Sequence, residues 1–344
     1  MMTSKGVSPL RLIRWSFHHI VWLTALSSVV AAVYYFELIS FSIPWLPMSV
    51  IGTAVAFYVG FKNNQAYDRM WEARKIWGGI VNDSRSWGML VDGFVSSLFA
   101  DEKHTTQEVY GIKQSLIYRH IAWLYAHRNQ LLVPTPWEHV SQGGRVARYA
   151  KFYQNQFGVG LVVDEVTKTE LKQFLEEEEY HELVKAANPA TQIINRQSRA
   201  LSQLREKGLI DDFRHVEMER TLKSFYTLQG MNERIKKFPL PRQYANMSRY
   251  FIGIFIALLP FAMIPALIDH GDYGVFLSVP ITALIGWVYV MMEVVADYSE
   301  NPFQGMANDI PTLSLCRTIE IDLREMLGET DLPPVIQPKK DILM

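Results

Sequence analysis

The chain has 344 residues, with 34 lysines and arginines against 35 aspartates and glutamates, a balance that calls for neither a nucleic acid nor a polyacidic partner. Its single cysteine, Cys316, excludes an intrachain disulfide framework. Apolar residues make up 49%, but uncharged runs collect towards both ends and the middle is highly charged, as expected of membrane spans interrupted by a polar region.

Residues 15–36 hold no Asp, Glu, Lys or Arg, and their length meets the roughly 17–25 residues a spanning helix needs. Lys5, Arg11 and Arg14 precede this run as they would in a secretory leader. The apolar region is too long for one, and a second span follows at once, so it reads as an uncleaved span. Residues 38–61 form that second span, with its helix expected to begin after Pro47. Residues 250–268 and 273–292 are the third and fourth.

Basic residues orient the spans. Lys5, Arg11 and Arg14 lie before the first; Lys62, Arg69, Arg74 and Lys75 follow the second; Arg234, Lys236, Lys237, Arg242 and Arg249 precede the third. The connections at residues 37–47 and 269–272 contain neither lysine nor arginine. The expected protein is a multi-pass inner-membrane protein with both termini cytoplasmic. Its parts are an N-terminal segment (1–14), two spans (15–61), a helical cytoplasmic region (62–249), two spans (250–296) and a C-terminal segment (297–344).

Within the middle region, residues 107–131 and 169–187 read as helices, and residues 133–162, rich in Pro and Gly, as an irregular excursion. Asn188 and Pro189 fit an N-cap and first helical position, with Gly208 as the stop. Another helix is expected to start at Asp211 or Asp212. The run Glu176–Glu179 reads as a solvated helix face. No phosphate-cradling glycine loop, paired-cysteine spacing, nucleophile elbow or His-Glu-x-x-His occurs, so no catalytic residue, metal site or cofactor is expected. His120 and His127, two turns apart, read as structural.

The second span continues without a proline into charged sequence, "VIGTAVAFYVGFKNNQAYDRMWEARK". One face carries Gly52, Ala56 and Gly60, small residues that let membrane helices approach closely. A second stripe, rotated by about 100°, carries Thr53, Phe57 and Phe61. Spacing alone leaves two readings open. The phenyl stripe packs against the chain's other spans, or, in a ring of identical helices, it lines a narrow apolar throat. Nothing stops this helix before Gly78–Gly79, so it is expected to extend about four turns beyond the membrane and couple the two regions rigidly.

"GFKNNQAYDRMWEARKIWG" resembles the Gly-Phe-Arg-Asn-Asn motif region of the bestrophin-like channel family, and "ENPFQGMANDIPTLSLCRTIEIDLREMLG" resembles its Asn-Pro-Phe-Gly segment. The resemblance implies an all-α membrane protein of four transmembrane helices, with a helical cytoplasmic region between spans 2 and 3. It implies a homopentamer in the lipid bilayer that conducts small inorganic ions, chloride in animal members and monovalent cations in some prokaryotic ones. Through this motif the pore neck falls on Thr53, Phe57 and Phe61, and a cytoplasmic constriction on Phe213. Thr53 stands where the family often has an aliphatic residue. The family's calcium clasp is not expected, because Gln304 replaces a glycine and only Asp309 is acidic where the family has a run of carboxylates. Glu293, Asp297 and Glu300, at the end of the fourth span, are expected to be solvated or paired with the basic stretch at Arg69–Lys75. Two other readings are a secondary transporter with helices broken at Pro260, Pro265 or Pro280, and a membrane-anchored scaffold.

Overall fold

The computed structural model describes every residue except 5, 7, 101–103, 158–166 and 269–270. Lys5, residues 269–270 of the connection at 269–272 and the end of the 133–162 excursion therefore lie outside the described residues. Among the described residues the chain folds into eleven helices and no strand. They are α1 (Pro9–Tyr35), α2 (Trp45–Phe94), α3 (Thr106–Leu132), α4 (Gly144–Phe157), α5 (Thr167–Phe174), α6 (Glu177–Lys185), α7 (Pro189–Glu206), α8 (Asp212–Lys237), α9 (Arg242–Leu267), α10 (Asp272–Ser299) and α11 (Thr312–Met326). Two compact units result: a spanning unit of residues 4–69 and 239–300, and a polar unit of residues 1–3, 70–238 and 301–344.

Four helices (α1, α2, α9 and α10) are long and apolar enough to cross a membrane, matching the four runs read from the sequence. In the spanning unit Leu23, Met48, Val55, Val59, Ile252, Phe255 and Leu259 form the core. Small residues set the spacing between its helices. A Cβ on Gly52 would lie 2.9 Å from the Phe255 ring, and one on Gly286 2.8 Å from Leu23, so both glycines permit close packing where no solvent drives helices together. Helix α9 runs unbroken through Pro260 and Pro265, and α10 through Pro280. The discontinuous spans of the transporter reading therefore do not form among the described residues.

Helix α2 departs from expectation at both ends. It begins at Trp45, before Pro47. A proline in the first turn gives up an amide hydrogen that has no intrahelical acceptor anyway. Nor does α2 stop at Gly78–Gly79; it continues to Phe94, about nine turns beyond Phe61. Ile76, Trp77 and Ile80 around the glycines are fully packed, and Gly79 lies against Leu228. That burial outweighs the roughly 1 kcal/mol each glycine costs a helix.

The polar unit is organised around aromatic residues. Trp77, Trp87, Trp123, Leu116, Ile121 and Phe225 belong to its core. His127 stacks on Trp123 at 5.7 Å and His120 packs at 4.4 Å from Phe225. Burial lowers His120 to about 3 and His127 to about 4, so both are neutral packing residues. His127 Nε2 faces the Asn232 side-chain amide at 3.1 Å and accepts its hydrogen.

Local signals behave as their chemistry dictates. The Asn188 side chain accepts from the Thr191 amide at 2.9 Å, and Pro189 occupies the first turn of α7. At the other end Gly208 adopts φ 69°; its amide donates to Arg205 O at 3.0 Å and that of Leu209 to Leu204 O at 2.9 Å. This Schellman pattern ends α7, with Leu204 and Leu209 buried against the core.

The expected helix over 169–187 divides into α5 and α6. Glu177, Glu178 and Glu179 lie in the first turn of α6, where carboxylates offset the positive end of the helix dipole. The solvated-face reading holds for Glu177 and Glu178 but not for Glu179. That residue is buried and accepts from Arg119 Nε at 3.0 Å and Nη2 at 3.2 Å. The excursion at 133–162 is also more regular than expected, holding a 3₁₀ turn at His139–Ser141 and α4. Its Gln154 side chain anchors α4 by donating to Gln304 O at 2.6 Å.

Candidate functional site

On α2 within the spanning unit, Met48, Gly52, Val55, Val59, Lys62 and Ala66 are buried. Their alternation of three- and four-residue steps traces the helix face turned to the chain's own core. The opposite face stays uncovered: Thr53 is exposed, Phe57 retains 65% of its surface and Phe61 retains 61%. The chain's other spans do not cover these rings. Of the small-residue face, Gly52 is used within the chain, whereas Ala56 and Gly60 are half-buried and a Cβ on Gly60 would meet nothing within 4 Å.

Behind the phenyl stripe the helix is held by polar ties. Tyr289 Oη donates to Gly52 O at 3.0 Å, and Tyr58 Oη to Tyr244 O at 3.0 Å. Asn63 Nδ2 donates to Met292 O at 3.1 Å. Lys62, only 1% exposed, donates to Ala245 O at 3.0 Å and is ion-paired with Glu293. The sequence reading left Lys62 as a membrane-flanking cation. Its place in the buried three–four stripe was the available signal that it turns inward.

The other carboxylates at the end of α10 are paired as well. Arg249 meets Asp297 at 2.9 Å and Arg242 meets Glu300 at 3.4 Å. Lys62, Arg249 and Arg242 are thus among their partners. These cations come from α2 and α9, and their closeness to the end of α10 is not revealed by chain order.

Phe213 stands at the start of α8 in the polar unit and keeps 90% of its surface. Asp211 caps the helix by accepting from the Phe213 and Arg214 amides at 2.8 and 3.0 Å. Arg214 donates to Phe94 O at 3.0 Å, and Arg205 pairs with Asp212. These bonds fix the backbone beneath a phenyl ring that the chain itself leaves in the open.

The segment from Asn301 to Asp309 is tightly internalised. Asp309 accepts from the Gly305 amide at 2.6 Å, and burial pushes it up to about 7 against the backbone hydrogen bonds of Met306 and Gly305. Gln304 Oε1 lies 2.9 Å from His139 Nδ1. Nearby Glu138 and Lys236 form a buried pair, which sequence order, with the two residues far apart, gave no means of finding.

The family profile described as Bacterial/Fungal Bestrophin protein matches residues 11–325. A voltage-dependent anion channel-forming protein of Escherichia coli is 25% identical over 310 residues, spanning 87% of this chain and 86% of that relative. A protein of the same description from Mesorhizobium japonicum is 27% identical, over 85% of this chain and 77% of its own. The crystal structure of a bacterial bestrophin homologue from Klebsiella pneumoniae has the same fold, with a TM-score of 0.73 and 22% identity over 91% of this chain and 99% of that one.

Proposed function

Because the chain belongs to the bacterial and fungal bestrophin family, we propose that it assembles into an oligomeric ion channel, a pentamer by family resemblance, with Thr53, Phe57 and Phe61 lining an apolar neck. The observation that carries this reading is the uncovered phenyl stripe on the face of α2 opposite its buried stripe. Rings of phenyl groups around an axis narrow the path and hold water out of it, a barrier that gates ions by dewetting. The half-buried Ala56 and Gly60 give a neighbouring copy of α2 room to approach. Phe213, rigidly capped and exposed, forms a second constriction by the same logic. The naming of the relatives as channel-forming proteins supports passive conduction over coupled transport. In this reading the membrane is the inner one, and both termini and the region 62–249 are cytoplasmic.

Reconstitution into liposomes and planar bilayers tests the neck. The doubly truncated Phe57→Ala/Phe61→Ala protein should conduct several-fold more current per channel than the parent, because the throat widens and wets. Unchanged unitary conductance in a variant with the parent's oligomeric mass overturns the neck assignment. Saturable, coupled flux would instead support a transporter, and no flux a scaffold.

A further inference from the structure

We infer that Asp68 sets the sign of the permeant ion, favouring cations by placing one unpaired carboxylate per copy on the face that carries the neck. The inference rests on the neck reading above and adds a charge to it. Seven residues separate Asp68 from Phe61, two helix turns with a drift of about 20°, so Asp68 lies about 10 Å further along α2 on nearly the same line. The helix is continuous through this stretch. Asn64, Gln65 and Asp68 are all exposed, so beyond Phe61 the uncovered face changes from phenyl rings to amides and a carboxylate. An ionised side chain on an open face needs water, as the stretch of a pathway beyond a dry neck provides.

Charge bookkeeping along the face singles out this residue. Among the described residues Asp68 has no hydrogen-bond or ion-pair partner in its own chain. Lys62, the first cation after the neck, is turned into the core and neutralised by Glu293. Further along, Glu72 and Lys75 pair with each other at 2.6 Å and cancel. Asp68 is therefore the first uncompensated charge an ion meets after the phenyl rings. Copies of α2 around an axis repeat it as a ring of carboxylates, an arrangement that enriches cations and repels anions. In water a single charge at about 7 Å changes local ion concentration about threefold, and a ring compounds the effect.

The test is the reversal potential in planar bilayers with asymmetric potassium chloride near 0.1 M. The parent should reverse on the cation side. Asp68→Asn should lower the cation-to-anion permeability ratio about threefold or more, Asp68→Lys should move the reversal to the anion side, and Asp68→Glu should restore the parent value. These differences should collapse near 1 M salt, where the Debye length falls to about 3 Å, a dependence that a structural role for Asp68 would not produce. A parent that reverses on the anion side, or equal reversal potentials for the Asn and Lys variants, overturns the inference. If Phe57→Ala/Phe61→Ala still raises conductance in that case, the neck reading stands and only the role of Asp68 falls. If conductance is unchanged too, both fall.

Discussion

Each unit buries a lysine–glutamate pair, and the two burials differ in how completely the charges are satisfied. In the polar unit Glu138 accepts from Lys236 on one oxygen and from the Thr135 amide, at 3.0 Å, on the other. Burial pulls Glu138 up and Lys236 down, and each partner opposes the other's shift. In the spanning unit Glu293 accepts from Lys62 on Oε1, but its Oε2 is buried without a hydrogen bond, and Arg249 Nε stands 3.9 Å from the paired oxygen. The polar unit seals its pair into a finished network, whereas the spanning unit keeps a second cation within reach. Their exposed phenyl groups differ in parallel. Phe213 is one ring whose position a local cap dictates, while Phe57 and Phe61 repeat over a turn on a long helix, which a local cap cannot explain.

Cutting the pairs gives the largest expected effect. Removing one partner of a buried pair costs roughly 3–5 kcal/mol because the other charge is stranded. Lys236→Met should show that full loss in thermal unfolding of the detergent-solubilised protein. Lys62→Met should lose less, since Arg249 can move onto Glu293. Equal losses at the two sites would break the comparison. The apolar double variant Lys236→Met/Glu138→Leu should recover most of the loss.

Acid titration gives a smaller effect, confined to the polar unit. His120 and His127, at about 3 and about 4 in the fold, contribute stability that is complete above pH 6.5 and is lost as pH falls towards those values. Asp309, raised to about 7, acts in the opposite direction, its contribution being complete below about pH 3.8 and lost as pH rises to 7. Between about pH 4.5 and 6 these three groups leave the unfolded chain one net proton richer, so stability should rise by about 1.4 kcal/mol per pH unit. Chemical denaturation at several pH values measures the slope. His127→Gln should flatten it, and Asp309→Asn should roughly double it.

The smallest effect should come from Phe213→Ala. A ring this exposed contributes within about 0.5 kcal/mol to the folded protomer. Its loss should leave the melting temperature of the detergent-solubilised protein nearly unchanged while altering current through the channel. A large destabilisation would mean that the ring is packed within the protomer after all.

Much of this architecture was legible because its causes are short-range. Four apolar runs, the Asn188–Pro189 start, the Gly208 stop and the helix start at Asp211 or Asp212 each depend on residues within a few positions of one another. The Thr53, Phe57 and Phe61 stripe was visible from helical spacing alone. Spacing left open whether the chain itself buried that stripe, since amphipathic periodicity gives relative direction and not which side is covered. Reading Gly78–Gly79 as a stop failed because weak local propensity met a face fully packed by Trp77 and Ile80. Glu179 was missed because a run of four glutamates looks uniform until one of them faces Arg119.

Hydropathy, charge asymmetry and motif order all lie along the chain, and together they specify a four-span helical protein of the bestrophin type. That Lys62 turns inward to Glu293, that α2 persists to Phe94, and that the Phe57 and Phe61 rings are left uncovered by their own chain emerges only on folding. Burial is a sum over neighbours that folding brings from distant positions, and no local pattern contains that sum.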